Sequence, residues 1–240
     1  MTFITGFVLA VPTANRQAYI DHAKASWPMM QRLGASRMVE GWAQDVPHGT
    51  QTDFYRATAA QPDETPLFSW IDWPDRATAD AAGARLAAGA EPEMAAMARM
   101  PFDGSRMMWG GFDPIVEVGH SAPGRYVQGF VLAVPGAAKQ AYIDMARSAT
   151  DMFRDMGATF QQECWGEDVP HGSRTDFHRA TLAKADEVPV FSRIEWPDRA
   201  TCDRAARQME AGMAGQDFPQ MPFDGRRMFW GGFTPIVDLP

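Results

Sequence analysis

At 240 residues with a formal charge of −8, the chain can build two domain-sized cores, and its acidity disfavours phosphate backbones and anionic membrane surfaces. No run of Lys or Arg supplies a local basic patch, so neither nucleic acid nor membrane is expected as a partner. The two cysteines, Cys164 and Cys202, are too few for a disulfide framework and read as reduced, buried thiols of a cytoplasmic protein.

The chain is written twice. Gly6-Phe7-Val8-Leu9-Ala10-Val11-Pro12 returns as Gly129-Phe130-Val131-Leu132-Ala133-Val134-Pro135, and Asp45-Val46-Pro47-His48-Gly49 returns as Asp168-Val169-Pro170-His171-Gly172. Met100-Pro101-Phe102-Asp103-Gly104 returns as Met221-Pro222-Phe223-Asp224-Gly225, two residues early. A period of about 120 residues is a tandem duplication of a domain-sized unit and not a solenoid repeat. The expected division is a first repeat over residues 1–119, a linker over 120–124 and a second repeat over 125–240.

In chain order, the run from Ile4 to Val11 is too short for a helix, ends at Pro12 and predicts a buried strand. Its recurrence in mid-chain argues against a cleaved leader. Tyr19, Ala23, Trp27 and Met30 fall at helical spacing, as do Tyr142, Ala146, Thr150 and Phe153, with Gly34 and Gly157 as helix stops and Pro28 as a strain in the first copy. A second strand is predicted over 35–43, a turn over 45–50, a third strand from about Asp53 and a fourth over 67–73. Asp75 and Asp198 then start Ala-rich helices. The first is interrupted by Gly89 and Pro92, and the second carries the two-residue deletion. A last strand is predicted over 106–112, before a linker rich in Gly, Ser and Pro. The order predicts the α+β class: tandem ferredoxin-like repeats whose sheets pack about a pseudo-two-fold axis as an intrachain pseudo-dimer, as in a homodimer whose subunits have been joined.

A turn near Pro47 or His48 would place Glu40 opposite Arg56 and Trp42 opposite Phe54, all on one face. The second copy would set Glu163 against Arg179 and Trp165 against Phe177. Read functionally, Glu40 and Glu163 are catalytic bases raised by apolar surroundings, with Arg56 and Arg179 anchoring an anionic or enolate-like group beside Trp42 and Trp165. Read structurally, each set is a cross-strand ion pair beside core rings, and the arginine lowers the carboxylate's pKa. Asp53 and Asp176 read as turn caps. His48 and His171 are lone turn histidines. With no H-x-x-x-H, C-x-x-C, phosphate loop or nucleophile elbow present, neither a metal nor a cofactor is expected.

The closing segment places Arg106 and Arg227 after an Asp-Gly turn, either to clamp an anion or to bond Asp103 and its counterpart. Trp109-Gly110-Gly111-Phe112 and Trp230-Gly231-Gly232-Phe233 follow, the paired glycines marking a bulge or the close approach of another group. Glu-x-Trp-x-x-Asp-Val-Pro-x-Gly-x-x-Thr-Asp-Phe, followed by Pro-Phe-Asp-Gly-x-Arg-Met-x-Trp-Gly-Gly-Phe, resembles the YbaA-like bacterial family, a numbered domain of unknown function, over nearly all of both repeats. The resemblance implies dimeric α+β barrels of ferredoxin-like subunits. That superfamily includes cofactor-independent monooxygenases, haem-dependent enzymes and small decyclising or isomerising enzymes. It brings no catalytic residues with it, and no histidine kept in both copies outside the turn offers a haem ligand.

The copies differ where Trp70 becomes Arg193, Tyr55 becomes His178, Gly41 becomes Cys164 and Asp72 becomes Glu195. Trp70 and Asp72 share a face with Phe68, and Arg193 would make a second pocket more cationic. The expectation is a small-molecule-binding protein with a pocket in each repeat, read as a cofactor-independent enzyme of the dimeric α+β barrel type. Trp42, Arg56, Arg106, Trp109, Trp165, Arg179, Arg193, Arg227 and Trp230 are its candidate ligand contacts. The alternative is a non-catalytic binding or assembly module using exposed sheet edges and the 16 methionines. Further homo-oligomerisation stays open.

Overall fold

Each opening apolar run becomes a strand with neighbours on both sides. Strand β1 (Phe3–Pro12) lies between β3 (Glu64–Trp73) and β4 (Met108–Gly119), and β5 (Tyr126–Pro135) lies between β7 (Glu187–Trp196) and β8 (Phe229–Leu239). The remaining strands are β2 (Arg37–Asp45) and β6 (Phe160–Asp168). Helices α1 (Arg16–Arg32), α2 (Phe54–Ala57) and α3 (Arg76–Ala87) follow β1, β2 and β3. Their counterparts are α4 (Lys139–Asp155), α5 (Phe177–Ala180) and α6 (Arg199–Met213). The computed structural model describes residues 2–94, 99–213 and 220–240.

Among the described residues the strands close into one eight-stranded barrel in the order β1-β3-β2-β8-β5-β7-β6-β4, every neighbouring pair antiparallel. Two seams cross between repeats, β2 with β8 and β4 with β6. Equivalent strands stand four places apart and point the same way, so the pseudo-two-fold runs along the barrel axis. The fold is therefore α+β, two ferredoxin-like repeats forming a pseudo-dimeric barrel within one chain. The sheets meet edge to edge as well as face to face, so the exposed edges expected for an assembly module are consumed. The seam explains why the last strand outruns its predicted end at Phe112. β4 pairs with β1 up to Ile4↔Phe112, then runs on beside β6 as far as Gly119↔Phe160.

The barrel is solid. Phe54, Phe68, Phe112 and their counterparts Phe177, Phe191 and Phe233 are all fully buried. Phe68 and Phe191 stack on the axis with ring centroids 4.1 Å apart and planes 3° from parallel. These six rings fill the middle of the barrel between the sheets. The open space lies on the outer face, beneath the helices.

One predicted strand is replaced. Asp53 does not begin a strand; its carboxylate accepts the Arg56 N–H at 2.8 Å and caps the single turn α2. Asp176 does the same for α5 through the Arg179 N–H, also at 2.8 Å. These turns drive Phe54 and Phe177 into one end of the barrel, and β3 over Glu64–Trp73 is the true third strand. Gly34 and Gly157 end α1 and α4 at φ +100° and +103°, where only glycine is unstrained. Asp75 and Asp198 cap α3 and α6 through the N–H groups of Thr78 and Thr201. Helix α1 continues through Pro28. The two-residue deletion falls between Cys202 and Met221, an interval that includes residues 214–219, outside the described residues.

Candidate functional site

Strand alternation sends Phe3, Thr5 and Phe7 of β1 and Ile71 and Trp73 of β3 outward. Helix α3 lies over them without filling the gap, because small residues, Ala79, Gly83, Ala84 and Ala87, form its facing side. The result is a cleft of about 920 Å³ on the first repeat, closed on one side by Met30 of α1 and on another by Met107 and Trp109. Trp109 is 45 % exposed. Polar groups are few: the Trp73 indole N–H donates to the Thr5 hydroxyl at 2.9 Å, and Arg76, Asp80 and Asp168 sit at the rim. A second hollow of about 350 Å³, sharing Phe3 and Arg76, adds Asp75, Asp113 and Glu167 to that rim. Arg76 is committed to Asp80 at 3.7 Å and Glu167 at 3.6 Å. The cleft is thus apolar inside and acidic at its mouth.

The second repeat carries bulkier residues at the equivalent positions. Tyr126 stands for Phe3, Gln128 for Thr5, Phe153 for Met30 and Cys202 for Ala79, each larger than its counterpart.

Glu40 and Glu163 occupy a different part of the same face. Glu40 of β2 lies directly opposite Ser69 of β3, and Ser69 opposite Phe7 of β1. The second copy repeats the row as Glu163, Ser192 and Phe130. A tyrosine from the overlying helix donates its hydroxyl to each carboxylate, Tyr19 to Glu40 and Tyr142 to Glu163, both at 2.6 Å. Gln161 adds a 3.0 Å bond to Glu163 in the second copy alone. Burial pushes both carboxyls above the usual carboxylate range, and the tyrosine hydroxyls offset part of that push. Burial beside these carboxyls raises the tyrosines well above their ordinary value. Neither carboxylate borders the cleft.

The expected arginine partners are elsewhere. Arg56 and Arg179 project from the capped turns with side chains 54 % and 55 % exposed, bonded to the Gly49 and Gly172 carbonyls and close to Asp53 and Asp176. They do not face Glu40 or Glu163, because the hairpin register that paired them replaced a turn with a strand. Trp42 and Trp165 do not share a face with Phe54 and Phe177, which lie inside the barrel; they lie on the outer face in the core beneath α1 and α4, with Tyr19 and Tyr142. Arg106 and Arg227 are structural. Each forms a two-pronged pair with a glutamate from the start of the third strand of its repeat, Glu64 or Glu187, with every bond 2.6 Å, and each also bonds the turn aspartate. These arginines hold Glu64 and Glu187 below the usual range.

Trp109 borders the cleft, and Trp230 is its outward-facing equivalent, 38 % exposed. The glycines beside them serve packing. A Cβ on Gly111 would sit 2.8 Å from the Phe3 ring, and one on Gly232 would collide with Tyr126. Arg193 is inside the barrel, 2 % exposed, between the Trp70 and Phe160 rings. His48 and His171 are exposed in their turns, and among the described residues no cluster of ligating side chains could hold a metal ion. Both cysteines are free and buried. Tyr19 and Tyr142 were missed as partners of the glutamates. The available signal was a Tyr-to-Glu spacing of 21 residues in both copies, which the helical stripe absorbed as core.

An eight-stranded α+β barrel with helices outside is a known architecture. The chain superposes on a candidate monooxygenase of Fusobacterium nucleatum subsp. nucleatum ATCC 25586 with a TM-score of 0.57 at 8 % identity, covering 99 % of this chain and 94 % of the other. A candidate monooxygenase of Lactobacillus acidophilus NCFM gives 0.54 at 9 % identity, over 99 % and 95 % of the two chains. An anthrone oxidase-like protein gives 0.55 at 9 %, over 99 % and 92 %. At such identities the likeness shows the fold alone. Within that architecture, the chain belongs to the family described as Protein of unknown function (DUF1428), which matches it twice, over residues 2–104 and 125–225. The uncharacterised protein YbaA of Escherichia coli (strain K12) is 45 % identical over 115 residues, 48 % of this chain and 98 % of its own length, and YbaA of Shigella flexneri matches to the same extent.

Proposed function

We propose that the chain is a small-molecule-binding protein whose ligand occupies the cleft between α3 and the outer face of β1, β3 and β4. The observation that carries this reading is the cleft itself: about 920 Å³, walled by aromatic and aliphatic side chains, with one indole-to-hydroxyl hydrogen bond inside and a charged rim. Its mouth carries Asp75, Asp80, Asp113, Glu167 and Asp168 against Arg76, which favours a neutral or cationic apolar molecule over an anion. Solved structures of the same fold that bear the name monooxygenase suit a ligand of this kind, although their identities of 8 % and 9 % transfer no reaction. A proton-transfer role for Glu40 is supported by its raised carboxyl and its Tyr19 partner, but it stands apart from the cleft and binding does not require it.

Gly83 makes the test clean. A Cβ there meets nothing within 4 Å, so Gly83→Leu fills the cleft and also favours the helix. Titration with the neutral fluorophore N-phenyl-1-naphthylamine is expected to show one site in the parent, weakened at least about tenfold by Gly83→Leu and by Thr5→Gln, which imitates the second copy. No binding by the parent, or equal binding by the plugged variants, would count against the reading.

A further inference from the structure

We propose that one end of the barrel is a heterotypic interface that accepts one copy of each repeat and rejects a pair of second repeats. Along the pseudo-two-fold axis the side chains form layers. Phe68 and Phe191 are alike, but the next layer sets Trp70 of β3 against its own repeat equivalent, Arg193 of β7. The guanidinium lies 4.2 Å from the Trp70 ring and 5.3 Å from Phe160. It reaches Asp72 of the first repeat at 3.6 Å and Glu195 of its own at 3.5 Å.

The surrounding inner positions have diverged in step. Directly beside Trp70 on β2 is Val39, and directly beside Arg193 on β6 is its equivalent, Gln162. One layer outward, Arg37 pairs with Asp72, whereas their equivalents Phe160 and Glu195 pair in the second repeat. Arg37 of the first repeat grips Asp238 of the second at 2.8 and 3.0 Å. Gln162 of the second donates to Glu117 of the first at 2.6 Å. Ser121, between the repeats, bonds both Arg37 and Glu195. Arg37, Gln162 and the Arg193–Asp72 pair thus find partners across the seam, while Arg193 also leans on Glu195 of its own repeat.

Two second repeats facing each other would lose that complementarity. Arg193 would confront Arg193 on the axis. Phe160 would stand where Arg37 stands, leaving Asp238, the equivalent of Glu117, with the neutral Gln162 amide in place of its cation. A charge buried without its partner is strongly unfavourable, and discrimination between partners is the difference between such arrangements. Two first repeats would be rejected less severely, since Arg37 could meet Glu117, but Asp72 would lose Arg193.

The test begins with the folded chain. A protease site placed between Pro123 and Gly124, both exposed, is cut after folding, and the nicked protein is exchanged with a nitrogen-15 copy in moderate urea. Native mass spectrometry is expected to find scrambled isotopes only in pairs of one first and one second fragment, with pairs of second fragments below about a twentieth of their statistical share. A 1:2:1 distribution, roughly that of indifferent partners, would overturn the proposal. Intact-chain variants decide the matter if the fragments do not exchange. Trp70→Arg should lower the thermal midpoint by about 10 °C or more. Restoring the pair in reverse, with Trp70→Arg and Arg193→Trp together, should not recover it, because Arg at 70 meets Arg37 and Val39 instead of Phe160 and Gln162. Recovery of the double variant to within about 2 °C of the parent would refute the heterotypic seam.

Discussion

Glu40 and Glu163 show how one misplaced turn changes a residue's chemistry. Their strand, their face and their aromatic neighbours Trp42 and Trp165 were legible from alternation in the sequence. Their counter-ion was not, because Asp53 caps a helical turn and carries Arg56 away to the surface. What remains is a carboxyl facing a tyrosine hydroxyl, held above its ordinary pKa by burial. A carboxyl that binds its proton more tightly folded than unfolded contributes stability that is complete below the unfolded pKa, about 4.3, and is lost as pH rises through the folded value. Gln keeps an acceptor for the tyrosine and carries no charge. Chemical denaturation of Glu40→Gln with Glu163→Gln should therefore show a stability advantage over the parent that grows as pH rises above about 4.3 and levels off beyond the folded value. A constant difference across that range would mean that these carboxyls are not strained by burial.

At the scale of elements, signals that act through a single local bond were readable, and those that depend on a distant partner were not. The caps at Asp75 and Asp198 and the stops at Gly34 and Gly157 behave as the chain predicts. The paired glycines were recognisable as a point of close approach, but the approaching group, an aromatic ring at the start of β1 or β5, is over a hundred residues away along the chain. Gly111→Ala should cost about 1–3 kcal/mol, read as a lower urea midpoint, since its methyl would sit 2.8 Å from Phe3. Phe3→Leu in the same chain should return part of that loss. A Gly111→Ala protein as stable as the parent would show that the ring yields freely. The strand ends were misjudged for a related reason: beyond Phe112, β4 is held by β6, and that pairing is invisible to a reading of the first repeat alone.

For the whole molecule, the duplication and the family resemblance gave away the barrel, while the strand pairs that close it, β2 with β8 and β4 with β6, did not follow from them. Each repeat supplies four adjacent strands, and the two share one interior through the Phe68–Phe191 stack and two hydrogen-bonded seams. Neither half keeps its core when the other leaves. Calorimetry should accordingly record one cooperative transition for the two-repeat chain, with calorimetric and van't Hoff enthalpies equal. Phe191→Ala should lower that single transition by about 3–5 kcal/mol without splitting it. Two resolved transitions would mean that the repeats are independent beads.

The order of strands around the barrel also bears on its birth at the ribosome. β2 emerges early, yet its outer hydrogen bonds are made by β8, the last strand of the sequence. Until that final stave clears the exit tunnel, the nascent chain carries an unzipped flank open to stray pairing with neighbours, so the interval before closure is the moment of greatest hazard in its synthesis.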